Sequence, residues 1–139
     1  MGARGLVDTG AILALLDADD AWHLRCSRVF PSLRLPLATS SAVLAELFHL
    51  LRARTHELEL AWGFIRSDIV TVLPFTDEDM PHLERLMIQY RDRPMDLADA
   101  TLVRLAQREA LSTIFTIDHD DFETYRIGGR SKFRIMPPR

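Results

Sequence analysis

Four short apolar or β-branched runs punctuate the chain at Arg4–Val7, Leu35–Ala38, Ile69–Leu73 and Thr113–Ile117. Between them lie longer strings with helical spacing: Ala11–Leu16, Trp22–Leu33, about Ala42–Arg54, Glu57–Arg66, Thr76–Tyr90 and about Asp96–Ala110. Strands alternating with helices predict a mainly parallel sheet covered on both faces, a three-layer α/β/α sandwich. Lys132–Ile135, after a Gly128-Gly129 turn, is expected to add an edge strand. No repeat, linker or low-complexity tract divides the 139 residues, so we expect a single domain, 1–139.

Composition narrows the function. The formal charge of −3 gives no global attraction to nucleic acid, so such a partner needs a local patch. Candidates are Arg91 and Arg93, and the C-terminal group Arg126, Arg130, Lys132 and Arg134, although solvated surface is the ordinary role of such residues. Cys26 is the only cysteine, which excludes an internal disulfide and fits a reducing compartment. No apolar run reaches membrane-spanning length, and Asp8 interrupts the N-terminal apolar stretch, making it a poor signal peptide. The expectation is a cytoplasmic protein with no membrane partner. The five histidines lack zinc-ligand spacing.

The acids carry more information. Ligands of parallel sheets gather beyond the C-terminal strand ends, where Asp8 and Asp118 are expected. Asp96 and Asp99 fall three apart in the first turn of a helix and share a face. Glu46 interrupts the apolar stripe of the 42–54 helix, a position that calls for a partner or an ion. Each acid also has a structural role open to it. Asp8 could cap the following helix, Asp96-x-x-Asp99 could be a cap, Glu46 could pair with Arg52 or Arg104, and Asp118 could close a turn. Asp120 and Asp121 are expected to cap the turn before Phe122, and two roles are open to Thr9 and Thr116: hydrogen-bonding the site, or favouring turn and strand. Carboxylates gathered in one cleft stay ionised together only around a cation. Oxygen ligands favour Mg²⁺ or Mn²⁺, and such a site suits phosphodiester hydrolysis.

The ordered motifs Val7-Asp8-Thr9-Gly10, Ala45-Glu46-Leu47, Asp96-Leu97-Ala98-Asp99-Ala100 and Thr116-Ile117-Asp118 resemble those of the PIN-domain family, in particular its VapC-type toxins. The resemblance covers nearly the whole chain. It implies Mg²⁺- or Mn²⁺-dependent endoribonuclease activity, homodimers and inhibition by a cognate antitoxin. It makes Asp8, Glu46, Asp99 and Asp118 the metal-site and catalytic acids. Thr116 becomes a supporting hydroxyl, with Thr9, Asp96 and Asp121 as further candidates around the site. The competing expectation is a PIN-like module that binds RNA or protein without cleaving. A phosphotransfer domain of receiver or haloacid-dehalogenase type fits less well. Position 10 is glycine where the dehalogenase type wants aspartate, and the lone lysine, Lys132, lies beyond the last acid.

Overall fold

The computed structural model describes residues 2–139. Its sheet has five parallel strands: β1 (Gly5–Val7), β2 (Leu37–Thr39), β3 (Val70–Val72), β4 (Thr113–Phe115) and β5 (Arg134–Met136). They are ordered β3-β2-β1-β4-β5. Seven helices, α1 (Thr9–Leu16), α2 (His23–Val29), α3 (Ser41–Leu51), α4 (Thr55–Ile65), α5 (Met80–Gln89), α6 (Leu97–Arg108) and α7 (His119–Thr124), complete the α/β/α sandwich. The central strands are mostly apolar because both faces of the sheet are covered there, whereas Thr71 and Val72 of β3 and Arg134 of β5 are exposed at the edges. β1 and β2 are buried throughout, and Leu6 pairs with Ala38 on one side and Ile114 on the other. No helix among the described residues is long and apolar enough to cross a membrane.

The strand order reverses at β1, so β1 and β4 flank the switch point where an open α/β sheet leaves a crevice. Hydroxyls fix the elements around it. Ser40 caps α3 through the Val43 N–H, and its Oγ lies 2.7 Å from Thr101 Oγ1 on α6. Thr39 Oγ1 donates to the Val7 carbonyl across the sheet. Gly10 allows α1 to approach the segment after β4. A Cβ there would fall 2.7 Å from Ile117 Cγ1, closer than real contacts allow.

Several element boundaries differ from those read in the sequence. α2 stops at Val29 and gives way to a 3₁₀ turn, Phe30–Ser32, because Pro31 cannot donate to a continuing helix. α3 ends at Leu51, three residues before the expected boundary at Arg54. β4 ends at Phe115, which leaves Thr116 and Ile117 to lead the chain to Asp118. The helix expected from Thr76 starts with a 3₁₀ turn, Asp77–Asp79, and α5 follows. The alternative open to Glu46, an ion pair with Arg52 or Arg104, does not form among the described residues. Arg52 bonds to His49, and Arg104 Nε donates to Asp79 Oδ1 at 2.8 Å.

Asp79 is an ionic tie between helices, 2% exposed. Its other oxygen accepts from Arg108 Nη1 (2.9 Å) and the Thr76 N–H (2.8 Å). Burial alone would push this carboxyl up. The hydrogen bonds from Arg104 and Thr76 and the two guanidinium charges outweigh that, holding it below the usual carboxylate range.

Candidate active site

Asp8, Glu46, Asp96, Asp99, Asp118 and Asp121 line one open cleft of about 470 Å³ at the C-terminal ends of β1 and β4. Thr9, Gly10, Leu13, Leu50, Pro94 and Ile117 complete its wall, and no basic side chain is among these lining residues.

Three helix N-termini deliver the five aspartates, each start fixed by an aspartate N-cap, and α3 delivers Glu46. Asp8 caps α1 by accepting from the Thr9 N–H at 2.8 Å. Asp96 caps α6 by accepting from the Asp99 N–H at 2.8 Å, which places Asp99 in the first turn. Asp118 caps α7 through the Asp121 N–H. The cap before Phe122 is therefore Asp118, not Asp120 or Asp121. The structural and site readings of these acids do not compete, since one side chain can cap a helix and still line the cleft.

Asp99, Asp118 and Asp121 each offer a carboxylate oxygen within 4.8 Å of the others. Both Asp8 oxygens are held by protein donors, the Thr9 N–H and Thr116 Oγ1 (3.0 Å). Thr116 Oγ1 also accepts from the Asp118 N–H at 3.0 Å, so one hydroxyl ties two of the acids together. Thr9 makes its side-chain contact with the Val43 carbonyl, at 3.5 Å, rather than with an acid. Glu46 lines the cleft from α3, half-buried and without an ion pair among the described residues.

This crowding shows in the acidities. Burial, with Glu46 and Asp118 nearby, pushes Asp8 up to about 7 against the hydrogen bonds from Thr9 and Thr116. Burial, Asp8 and Asp96 push Asp99 up to about 8. Burial and Asp121 push Asp118 up to about 6. Carboxyls in this state hold negative charge at a cost that a bound cation would offset. The donors are all oxygen and three converge, so the residues present fit a hard divalent ion.

One participant is not legible in the sequence, and one candidate from the basic patch joins the site. Tyr125, completely buried, donates its hydroxyl to Asp99 Oδ2 at 2.8 Å. Arg93 Nη1 bonds Asp121 Oδ1 at 3.0 Å. An aromatic residue among apolar neighbours reads as core, and nothing local in the sequence links Tyr125 to an acid 26 positions earlier. The rest of the candidate basic patch lies elsewhere. Arg91 bonds the Ile88 carbonyl, Arg126 bonds carbonyls of its own segment, and Arg134 starts β5 at the other end of the sheet. Arg139 pairs with Asp120, which leaves that acid outside the cleft.

A sequence model of the PIN domain matches residues 5–127, and the chain belongs to the PIN-domain family. It is 31% identical to Ribonuclease VapC26 of Mycobacterium tuberculosis over 134 residues, spanning 95% of this chain and 99% of that relative. Among solved structures it resembles Mycobacterium tuberculosis VapC20, described as a sarcin–ricin-loop-cleaving toxin. The TM-score is 0.73 at 27% identity, covering 83% of this chain and 90% of that one. A toxin–antitoxin complex from Klebsiella pneumoniae shares the fold at TM-score 0.66 and 17% identity, covering 87% of this chain and 92% of its own.

Proposed function

We propose that this protein is a divalent-cation-dependent endoribonuclease and the toxin of a toxin–antitoxin pair. One observation carries the reading: carboxylates from three helix N-termini and α3 converge on a cleft with no basic side chain among its lining residues. The similarity to VapC26 and VapC20 supplies the substrate class, RNA. Asp99, Asp118 and Asp121 would hold Mg²⁺ or Mn²⁺, with Asp8 and Glu46 beside them. When bound there, the ion supplies positive charge at a scissile phosphate and lowers the pKa of an attacking water.

The chain's own residues do the positioning. Thr116 sets the Asp8 carboxylate and the Asp118 backbone, and Tyr125 sets Asp99. Asp96 fixes the first turn of α6, from which Asp99 faces the cleft. Arg93 offsets charge on Asp121. Glu46, with no ion pair among the described residues, leaves its carboxylate open to a water in the cleft. A binding-only module has no use for so costly a gathering of acids.

A cognate antitoxin and a second copy of this chain are the proposed protein partners. Leu50, Leu60 and Trp62 expose apolar surface on α3 and α4 where such contacts would form. The test is cleavage of a structured RNA followed by gel, with Mg²⁺ or Mn²⁺, with chelator, and with Asp99→Asn. Cleavage that survives both chelation and the substitution would refute the proposal.

A further inference from the structure

At the opposite end of the strands from the acids, Arg4, Arg34 and Arg134 line a second cavity, of about 260 Å³. Arg4 precedes β1, Arg34 precedes β2 and Arg134 begins β5, so sheet topology brings together three arginines far apart in sequence. No carboxylate lines the cavity. None of the three guanidinium groups has an ion-pair or side-chain hydrogen-bond partner among the described residues. Ser32 and Thr113 add hydroxyls, and buried Leu37 adds an apolar wall.

We propose that this cavity is a phosphate-binding site separate from the acidic cleft. Arginine stays charged at any physiological pH, and three exposed arginines without ionic partners around one hollow give it a positive potential that suits an anion. Their planar forks match the oxygens of a tetrahedral phosphate. The two sites are separated by the length of β1, with Arg4 and Asp8 about 13 Å apart at strand rise. Five of the eight lining residues are polar, which suits a small oxyanion better than the apolar face of a partner helix. The phosphate can come from the backbone of an RNA strand or from free phosphate.

The test does not depend on cleavage. Backbone amide NMR spectra of the full chain are followed in chelator during titration with inorganic phosphate, at ionic strength held constant with chloride. Saturable shifts are expected at Gly5, Thr113 and Arg134, with the acidic-cleft amides unmoved. Arg34→Gln and Arg134→Gln should each weaken the titration about tenfold or more, while circular dichroism shows an intact fold. A short RNA oligonucleotide then identifies the source. The same shifts at lower concentration point to backbone phosphate, and no shifts with RNA point to free phosphate. Shifts that grow linearly without saturating, or that persist in both variants, would overturn the site. Loss of the nuclease reading would leave this result unchanged.

Discussion

Tyr125 and Asp99 share a buried hydrogen bond of 2.8 Å, from the phenol of the α7 C-cap to the carboxylate that α6 presents to the cleft. The ring is also packed edge-on against Tyr90 and Phe122. Tyr125→Phe keeps that packing and removes only the hydroxyl. The lost bond favoured ionised Asp99, so its removal moves the carboxyl further up. RNA cleavage by Tyr125→Phe should fall about tenfold near neutral pH, with the rising limb of the pH–rate profile displaced to higher pH. An unchanged profile would make Tyr125 a packing residue only.

Cation-free protein should lose stability as pH rises from about 4 to 8. Asp8 and Asp99 sit at about 7 and 8 in the fold and near 4 when unfolded. Over that window the native state binds more protons than the unfolded chain, so deprotonation favours unfolding. Mn²⁺ offsets the charge that appears. Its stabilising shift in thermal melts should therefore be larger at pH 8 than at pH 5, and Asp99→Asn should shrink both the pH slope and the Mn²⁺ shift.

Asp79→Ala should cost about 3–5 kcal/mol, because it strands Arg104 and Arg108 beside a buried hollow. Urea melts measure this directly. The Asp79 carboxyl lies below its unfolded value, so its contribution is complete above about pH 4 and fades as pH falls through the folded value. The variant should therefore lose part of the wild-type acid sensitivity.

Ala110 ends α6 in the left-handed region, at φ 55°. The Leu111 N–H bonds the Ala106 carbonyl and the Ala110 N–H bonds that of Gln107, a Schellman closure that usually uses glycine. Ala110→Gly should raise stability by about 1 kcal/mol, read as a higher melting temperature with unchanged RNA cleavage.

The alternation of short apolar runs with helical strings made the sandwich legible, because periodicity reports directly on which faces are buried. The strand-end rule likewise points to Asp8 and Asp118, because ligands of a parallel sheet gather beyond its C-terminal strand ends. Ion-pair partners were harder to read. Arg104 is one of two arginines open to Glu46 in the sequence, but Asp79 holds it through a contact between α6 and the turn before α5. Nor could spacing reveal that Arg134 would join Arg4 and Arg34, since only the pairing of β5 with β4 carries it there.

Because Asp8, Asp96 and Asp118 cap helices as well as face the cleft, the choice of inactivating substitution matters. Alanine at these positions removes a helix-starting bond worth about 1 kcal/mol along with the charge, so a dead variant could simply be a loosened one. Asparagine can still accept that bond while carrying no charge, which makes it the cleaner probe of chemistry at all three positions.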